Sequence, residues 1–154
     1  MKKDCIHPED PYNDIGFLIW QIMKAWQRGK HRTLDEFDIT GSQMEILSAV
    51  YHLSESEQEV TQIAISNMTN VDPMTTSTIL RNLQKKKLID RKLSKTDTRA
   101  RIVEITDEGV ELLLKAMSKV KASTELLLKE IDQEALKEQL RSLLNVITKL
   151  NQSN

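Results

Sequence analysis

The sequence has few of the residues that build disulfide frameworks, metal centres and many-turned β folds. It contains one cysteine, three histidines, four glycines and three prolines among 154 residues. A single thiol excludes an intramolecular disulfide framework and a cysteine-rich zinc site, which favours a reducing compartment. So few glycines and prolines argue against a β sandwich or barrel. The composition therefore predicts a mainly α protein.

Long apolar runs are also absent. The longest nearly apolar run, Ile15 to Trp20, is about a third of the length that a membrane span needs. Two lysines follow the first methionine without an apolar stretch behind them, so this segment does not resemble a secretory signal. The sequence therefore predicts a cytoplasmic protein with no membrane partner.

No catalytic or metal-binding constellation is recognisable. His7, His31 and His52 lie in different segments, and no two of them form a ligand pair at helical spacing. The chain has no glycine-rich phosphate loop, no nucleophile elbow and no cysteine with a defined partner base. We therefore expect no metal, no cofactor and no enzymatic activity. An enzyme of unknown type is the weakest alternative.

The net charge of −1 hides a strong asymmetry along the chain. From Met74 to Arg101, nine basic and two acidic residues give a charge of +7, whereas thirteen basic and twenty-one acidic residues elsewhere give −8. One basic segment in an otherwise acidic chain is typical of a surface that binds a polyanion. A solvated charged face is the alternative interpretation of the lysine run inside it.

The first two predicted helices lie well ahead of the basic segment. From Asp14 to about Arg28, apolar residues recur at steps of three and four, the period of a helix with one apolar stripe. Either a core or a partner subunit must cover that stripe. The next helix begins after Thr40, which has capping-box spacing to Gln43.

A helix-turn-helix follows. Thr61 is a suitable N-cap for a short helix, and Asp72 followed by Pro73 signals a new helix start after a short turn. The second helix is predicted from Pro73 to about Lys86. Two helices joined by a turn of three or four residues match the helix-turn-helix plan.

A β hairpin is predicted directly after these helices. The apolar period changes from 3.6 to 2 in the segments Ile89 to Leu93 and Arg101 to Ile105, and the stretch Ser94 to Arg99 between them is polar and turn-like. A hairpin in this place is a wing. Thr106 then caps a long helix, and Asp132 begins a second one.

The chemistry of these elements suits DNA. A helix fits the major groove, where short polar side chains and arginine read base edges. The candidate residues on the predicted recognition helix are Met74, Thr75, Ser77, Thr78 and Arg81. Solvation of an ordinary surface helix is the alternative.

The hairpin carries a second set of candidates. Asp97 lies two residues before Arg99, close enough to orient the guanidinium for a narrow minor groove. Lys95 and Arg101, with Arg91 and Lys92, would contact phosphates.

The stretch from Ile39 to Thr106 resembles the winged helix of the MarR family (multiple antibiotic resistance regulators), which are dimeric bacterial transcription factors. The residues that carry the resemblance are Ile39-Thr40, Gln43-Met44 and Leu47; Leu83 to Ile89 with Arg91; and Asp97-Thr98-Arg99 with Val103, Ile105 and Thr106. The resemblance implies one MarR-like chain over 1–154, with a DNA-binding lobe at 39–106 and dimerisation helices at 11–32 and 107–151.

The resemblance also assigns roles. It implies that Arg99 is the minor-groove arginine, that Asp97 orients it, and that the helix from Pro73 is the recognition helix. The sequence departs from the family pattern at two positions. Lys87 replaces a helix-ending glycine, so the turn into the wing is expected to be looser or strained, and Thr78 replaces a common arginine, so no operator can be borrowed.

Many members of the MarR family bind small aromatic anions between the dimer helices and the DNA-binding lobe, so the resemblance implies a candidate site for a small aromatic or anionic effector. The candidate effector residues here are Trp20, Met23, Tyr51 and His52, with an ordinary core as the alternative. Cys5 lies about ten residues before the position of the family's peroxide-sensing cysteine, so we interpret it as a simple free thiol.

The sequence thus predicts a mainly α winged helix-turn-helix protein with terminal dimerisation helices. The predicted function is that of a homodimeric regulator, a repressor of a pseudo-palindromic operator in double-stranded DNA that an effector can relieve. The alternative is a winged-helix module that binds an acidic protein partner without specific DNA binding.

Overall fold

The computed structural model describes residues 14–56, 59–94 and 101–152. Within these ranges the order of elements is α1 (Ile15–Asp35), α2 (Gly41–Ser54), α3 (Gln62–Thr69), α4 (Pro73–Lys85), β1 (Ile89–Leu93), β2 (Arg101–Ile105), α5 (Asp107–Leu127) and α6 (Gln133–Gln152). The predicted class, mainly α with one β hairpin after a helix-turn-helix, is confirmed.

The predicted helix starts are confirmed because each depends on contacts within one turn of the chain. The backbone N–H of Gln43 donates to Thr40 Oγ1 and the backbone N–H of Thr40 donates to Gln43 Oε1, both at 3.2 Å, which completes the capping box. Thr61 Oγ1 accepts from the backbone of Ala64 at 3.2 Å. These bonds satisfy helix donors that have no partner inside the helix.

Helix α1 ends later than its apolar pattern predicts, at Asp35 rather than near Arg28. Leu34 is fully buried and anchors the last turn in the core. The backbone N–H of Ile39 donates to the backbone oxygen of Leu34, and Asp38 adopts a left-handed φ of 52°. Burial of one leucine therefore sets the end of the helix.

The core of the winged helix-turn-helix is built around α2, which contacts α1, α3, α4 and β2. The largest fully buried side chains are Leu34, Ile46, Leu47, Val50, Ile65, Thr76, Leu80, Leu83, Ile89, Val103 and Leu113. Because Leu80 and Leu83 are among them, one side of α4 is packed into the core and the other side is left for solvent.

Strands β1 and β2 are antiparallel, with Ile89 paired to Ile105 and Leu93 paired to Arg101. The hairpin is tied to the start of α3, because the backbone N–H of Val103 donates to the backbone oxygen of Val60 at 2.8 Å. The wing root therefore has a fixed position beside the helix-turn-helix.

The turn from α4 into the wing keeps its tight geometry despite the missing glycine. Lys87 has a left-handed φ of 61°, and the backbone N–H groups of Lys87 and Leu88 donate to the backbone oxygens of Gln84 and Leu83. This is a Schellman ending, in which glycine is usual at the left-handed residue. Of the two expected outcomes the structure shows strain rather than a looser turn.

Replacing Lys87 by glycine is expected to raise the free energy of unfolding by about 0.5–1 kcal/mol. The left-handed conformation costs a residue with a Cβ about 1–2 kcal/mol, and the extra chain entropy of glycine offsets part of the gain. Lys85→Gly, in the last turn of α4, should instead lower the free energy of unfolding by about 0.5–1 kcal/mol. Urea unfolding of the two variants checks this, and equal changes in both would contradict the assigned strain.

The chain divides into two compact units, one ending at Met117 and the other beginning at Ser118. The second unit contains the end of α5 and all of α6, which begins with a bond from the backbone N–H of Ala135 to Asp132 Oδ1 at 3.1 Å. No residue of α6 is buried. None of the helices that the structure describes combines the length and apolar character needed to cross a membrane.

Candidate nucleic-acid interface

Helix α4 presents the predicted recognition residues on its outer side. Met74 is 83% exposed, Thr75, Thr78 and Arg81 are exposed, and Ser77 is half-buried. Thr76, which the sequence interpretation leaves out of the set, is fully buried and donates to the backbone oxygen of Val71 at 3.3 Å. The five candidates therefore lie where a DNA groove can reach them.

Arg81 is held at the surface by the turn before it. Its Nη2 donates to Thr78 Oγ1 at 3.1 Å, and the Thr78 hydroxyl donates to the backbone oxygen of Met74 at 3.1 Å. Thr78 stands where the MarR family commonly has an arginine, and in this chain it orients a different arginine, Arg81, one turn further along α4. Because its hydroxyl is engaged, its methyl group is the part best placed for an apolar contact with a thymine methyl.

The turn between α3 and α4 is fastened from the core side. Ser66 Oγ donates to the backbone oxygen of Val71 at 2.6 Å, and Thr76 donates to the same oxygen. The sequence analysis did not identify this pair of hydrogen bonds. Small polar residues on the buried faces of both helices could have indicated it. The shared acceptor fixes the angle at which α4 leaves the turn.

Asp72 begins α4 and keeps a negative charge there. Its carboxylate accepts from the backbone N–H of Thr75 at 2.9 Å. Hydrogen bonds from the Thr75 side chain and backbone hold the Asp72 pKa below its ordinary value. The carboxylate is ionised at neutral pH and complements the positive end of the helix dipole.

The hairpin separates its basic residues onto two faces. Strand alternation and register place Arg91 and Arg101 on one face and Lys92 and Glu104 on the other. Lys92 Nζ donates to Glu104 Oε2, and this hydrogen bond raises the pKa of Lys92. Lys92, which the sequence interpretation assigns to phosphates, is thus engaged by a carboxylate.

Arg91 joins the wing to both helices of the helix-turn-helix. Its Nη2 donates to Gln62 Oε1 at 3.3 Å, and Gln62 Nε2 donates to the backbone oxygen of Pro73 at 3.0 Å. Arg91 Nε is shielded from solvent and has no partner among the described residues. Burial, then the charges of Arg101 and Arg81, lower the pKa of Arg91. Gln62 was not identified from the sequence, because its two partners are distant along the chain.

Three of the predicted wing residues, Lys95, Asp97 and Arg99, lie outside the described residues. Arg101, the fourth, is exposed at the start of β2, opposite Leu93. Cys5 and His7 also lie outside the described ranges. The roles assigned to the wing tip stay predictions.

The four candidate effector residues form two separate pairs of neighbours. On α1, Trp20 and Met23 are exposed. The Trp20 ring stacks on Phe17 with 5.6 Å between ring centroids, and Lys24 Nζ lies 4.1 Å from the Trp20 ring centroid. On α2, Tyr51 and His52 are in edge contact at 5.7 Å. No ring contact links the two groups in the part of the chain that the structure describes. Nor do the described residues contain a cluster of side chains that could hold a metal.

The sequence of the chain is similar to a known family and to a known relative. The family description "Transcriptional regulator SarA/Rot" matches residues 28–117. The uncharacterized HTH-type transcriptional regulator YdcH of Bacillus subtilis (strain 168) is 31% identical over 107 residues, which is 70% of this chain and 73% of that protein.

Solved structures share the fold. The S. aureus MepR–DNA complex has a TM-score of 0.76 at 24% identity and covers 92% of this chain and 99% of its own. A MarR-family transcriptional regulator from Rhodococcus sp. RHA1 has a TM-score of 0.73 at 19% identity and covers 90% and 96%. The resemblance to MarR regulators seen in the sequence is confirmed.

Proposed function

The chain belongs to the SarA/Rot family of transcriptional regulators, and from this membership we propose that it is a homodimeric repressor of a pseudo-palindromic operator. The observation that carries the proposal is the overlap of the +7 segment with the exposed side of α4 and the wing. Charge gives affinity for phosphates, and the polar side chains of α4 supply base readout. We place the protein in the cytoplasm and assign it no enzymatic activity.

Homodimerisation is supported by the apolar surface of the terminal helices. All but four of the large apolar side chains that are exposed among the described residues lie on α1, α5, α6 or the α5–α6 connection. So large a set in water favours a partner subunit. Two-fold symmetry would present two recognition helices to major grooves about 34 Å apart.

The experiment that tests the proposal is selection of bound sequences from a random duplex pool near physiological salt. Wild type should enrich an inverted repeat, and Arg99→Ala should weaken or lose the enrichment because the minor-groove contact is removed. Absence of any enriched motif would contradict sequence-specific binding. A search for an acidic protein partner would then follow, as the alternative interaction module requires.

Arg81→Ala is expected to relax specificity at one position of each half-site and to cost about 1–3 kcal/mol in operator binding. An arginine held by Thr78 can make a bidentate contact with guanine, which alanine cannot. Lys95→Ala should weaken all sequences alike, because a phosphate contact carries no sequence information. Fluorescence anisotropy with the selected repeat and a scrambled duplex separates the two effects. Equal losses on both duplexes for Arg81→Ala would exclude base readout.

Relief by a small aromatic or anionic effector is the second part of the proposal. Support comes from the exposed aromatic and thioether side chains of Trp20 and Met23 beside the Lys24 ammonium group. Titration of candidate aromatic carboxylates should quench tryptophan fluorescence and release the operator. Met23→Ala and Tyr51→Ala should weaken both responses while leaving DNA binding without effector unchanged.

A further inference from the structure

We propose that Arg91 and Arg101 form a site for one DNA backbone phosphate at the root of the wing, and that Gln62 is its positioning residue. The inference rests on the proposed function, because the phosphate belongs to the bound duplex. It adds a second role for the hairpin, independent of its tip: the wing root would set the register of the backbone against α4.

The two arginines share one face of the hairpin. In the β1–β2 register Arg91 is opposite Val103 and Leu93 is opposite Arg101, so Arg91 and Arg101 are diagonal neighbours. Diagonal neighbours in an antiparallel pair lie roughly 7–8 Å apart, a separation that long side chains bridge. Two guanidinium groups at this spacing can converge on the oxygens of one phosphate.

The face lacks a compensating negative charge. Among residues 14–56, 59–94 and 101–152, no carboxylate forms an ion pair with Arg81, Arg91 or Arg101. Arg101 and Arg81 are close enough for their charges to lower the pKa of Arg91. Uncompensated like charges destabilise one another, and an anion bound among them removes that cost. The opposite face differs, since Lys92 there is paired with Glu104.

Gln62 holds Arg91 without neutralising it. Its amide oxygen accepts from Arg91, and its amide nitrogen donates to Pro73, the first residue of α4. A glutamate could accept from the guanidinium, but it would cancel the charge and could not donate to Pro73. One neutral side chain thus ties the phosphate site to the start of the recognition helix.

The geometry of Arg91 also indicates a positioned group. Its Nε is shielded and lacks a partner among the described residues, a state that costs free energy and calls for an explanation. A side chain placed for its positive charge at the wing root accounts for this arrangement.

The test is the salt dependence of binding to a random-sequence duplex of about 30 base pairs, a length chosen to exceed two half-sites one helical turn apart. The slope of log K against log[salt] is negative, and each phosphate contact that is lost should reduce its magnitude by about 0.9, or roughly twice that for a homodimer. Arg101→Ala and Arg91→Gln should both show this loss. Lys92→Ala, which removes the same charge from the other face, should leave the slope unchanged. Circular dichroism and melting temperature verify that each variant folds.

Gln62 is tested by two substitutions at one position. Gln62→Glu should reduce the magnitude of the slope like Arg91→Gln, because the new carboxylate occupies the guanidinium. Gln62→Ala should keep the slope but weaken operator binding, because Arg91 and Pro73 lose their link. A wild-type slope in Gln62→Glu would overturn the role of Gln62.

A double-mutant cycle, which combines a protein substitution with a neutral DNA backbone group, locates the contacted phosphate. With the selected inverted repeat, one methylphosphonate per half-site is moved along the backbone to remove a single charge at a time. At one position the loss should be large for wild type and absent for Arg101→Ala.

The outcomes separate this inference from the proposed function. If wild type selects a repeat but Arg91→Gln and Arg101→Ala keep its slope, the phosphate site is wrong and the regulator assignment stands. Equal slope losses in Lys92→Ala would show a diffuse charge effect and would also overturn the site. If wild type has no salt-dependent affinity for any duplex, both proposals fail.

Discussion

Ile147→Glu is expected to convert the protein from dimer to monomer and to lower its affinity for the inverted repeat by about 10²–10⁴-fold. A dimer holds two half-sites at once, and a monomer loses the gain in effective concentration that comes from linking them. The change should leave the DNA-binding lobe folded, because Ile147 belongs to the second compact unit.

The expectation follows from the surface of α6. Apolar residues recur at steps of three and four along this helix, and all of them are solvent-exposed or nearly so in the single chain. The exposed apolar side chains of α6 are Leu140, Leu143, Leu144, Val146, Ile147 and Leu150. A buried carboxylate without a partner would strongly oppose association through this stripe.

Asn145→Glu is the matched control, since it introduces the same charge on the same helix. At 100° per residue Asn145 projects from the side opposite the middle of the apolar stripe. It should remain dimeric and bind the repeat like wild type. Analytical ultracentrifugation and anisotropy measure the two properties. A dimeric Ile147→Glu protein, or a monomeric Asn145→Glu protein, would show that another surface joins the subunits.

Gly109→Ala is expected to destabilise the DNA-binding lobe by about 3 kcal/mol or more, beyond the usual range for an overpacked core. A Cβ at Gly109 would lie 2.1 Å from the backbone oxygen of Leu88 and 2.9 Å from Ile105 Cγ1. The Leu88 oxygen cannot move freely, because it accepts from the backbone N–H of Thr106 at 3.1 Å. Close contact between α5 and the turn into the wing thus requires glycine.

Gly29→Ala, at a second helical glycine, is expected to stabilise the protein rather than destabilise it. A Cβ at Gly29 would meet nothing within 4 Å, and the residue lies inside α1. Alanine there should raise the free energy of unfolding by up to about 1 kcal/mol, because it restricts the unfolded chain and favours the helix. Urea unfolding of both variants tests the pair. A Gly109→Ala protein as stable as wild type would refute the close approach.

Local signals in the sequence predicted most of the fold. The capping box at Thr40 and Gln43 and the strands Ile89–Leu93 and Arg101–Ile105 were placed as the structure has them. These features depend on bonds within one turn or on a two-residue alternation, so a short window of sequence contains the information. The end of α1 was misplaced, because the burial of Leu34 depends on elements far along the chain.

Part of the candidate interface could likewise be predicted from the sequence, and part could not. The structure places Met74, Thr78 and Arg81, which were chosen from composition and helical spacing, on the exposed side of α4, and it buries Thr76, which was not chosen. Strand alternation alone places Arg91 and Lys92 on opposite faces, but it does not show which of them has a carboxylate beside it. The pairing of β1 with β2 decides this, because it brings Lys92 next to Glu104.

The sequence by itself determined the element order, the helix starts and the basic segment, because each is encoded by neighbours along the chain. Only the tertiary structure decided which basic groups lie on the same face and which have a partner. The link from Arg91 through Gln62 to Pro73 spans three elements, and the requirement for glycine at Gly109 comes from the backbone of Leu88. Such contacts form only when residues distant in the chain pack together, so no local pattern predicts them.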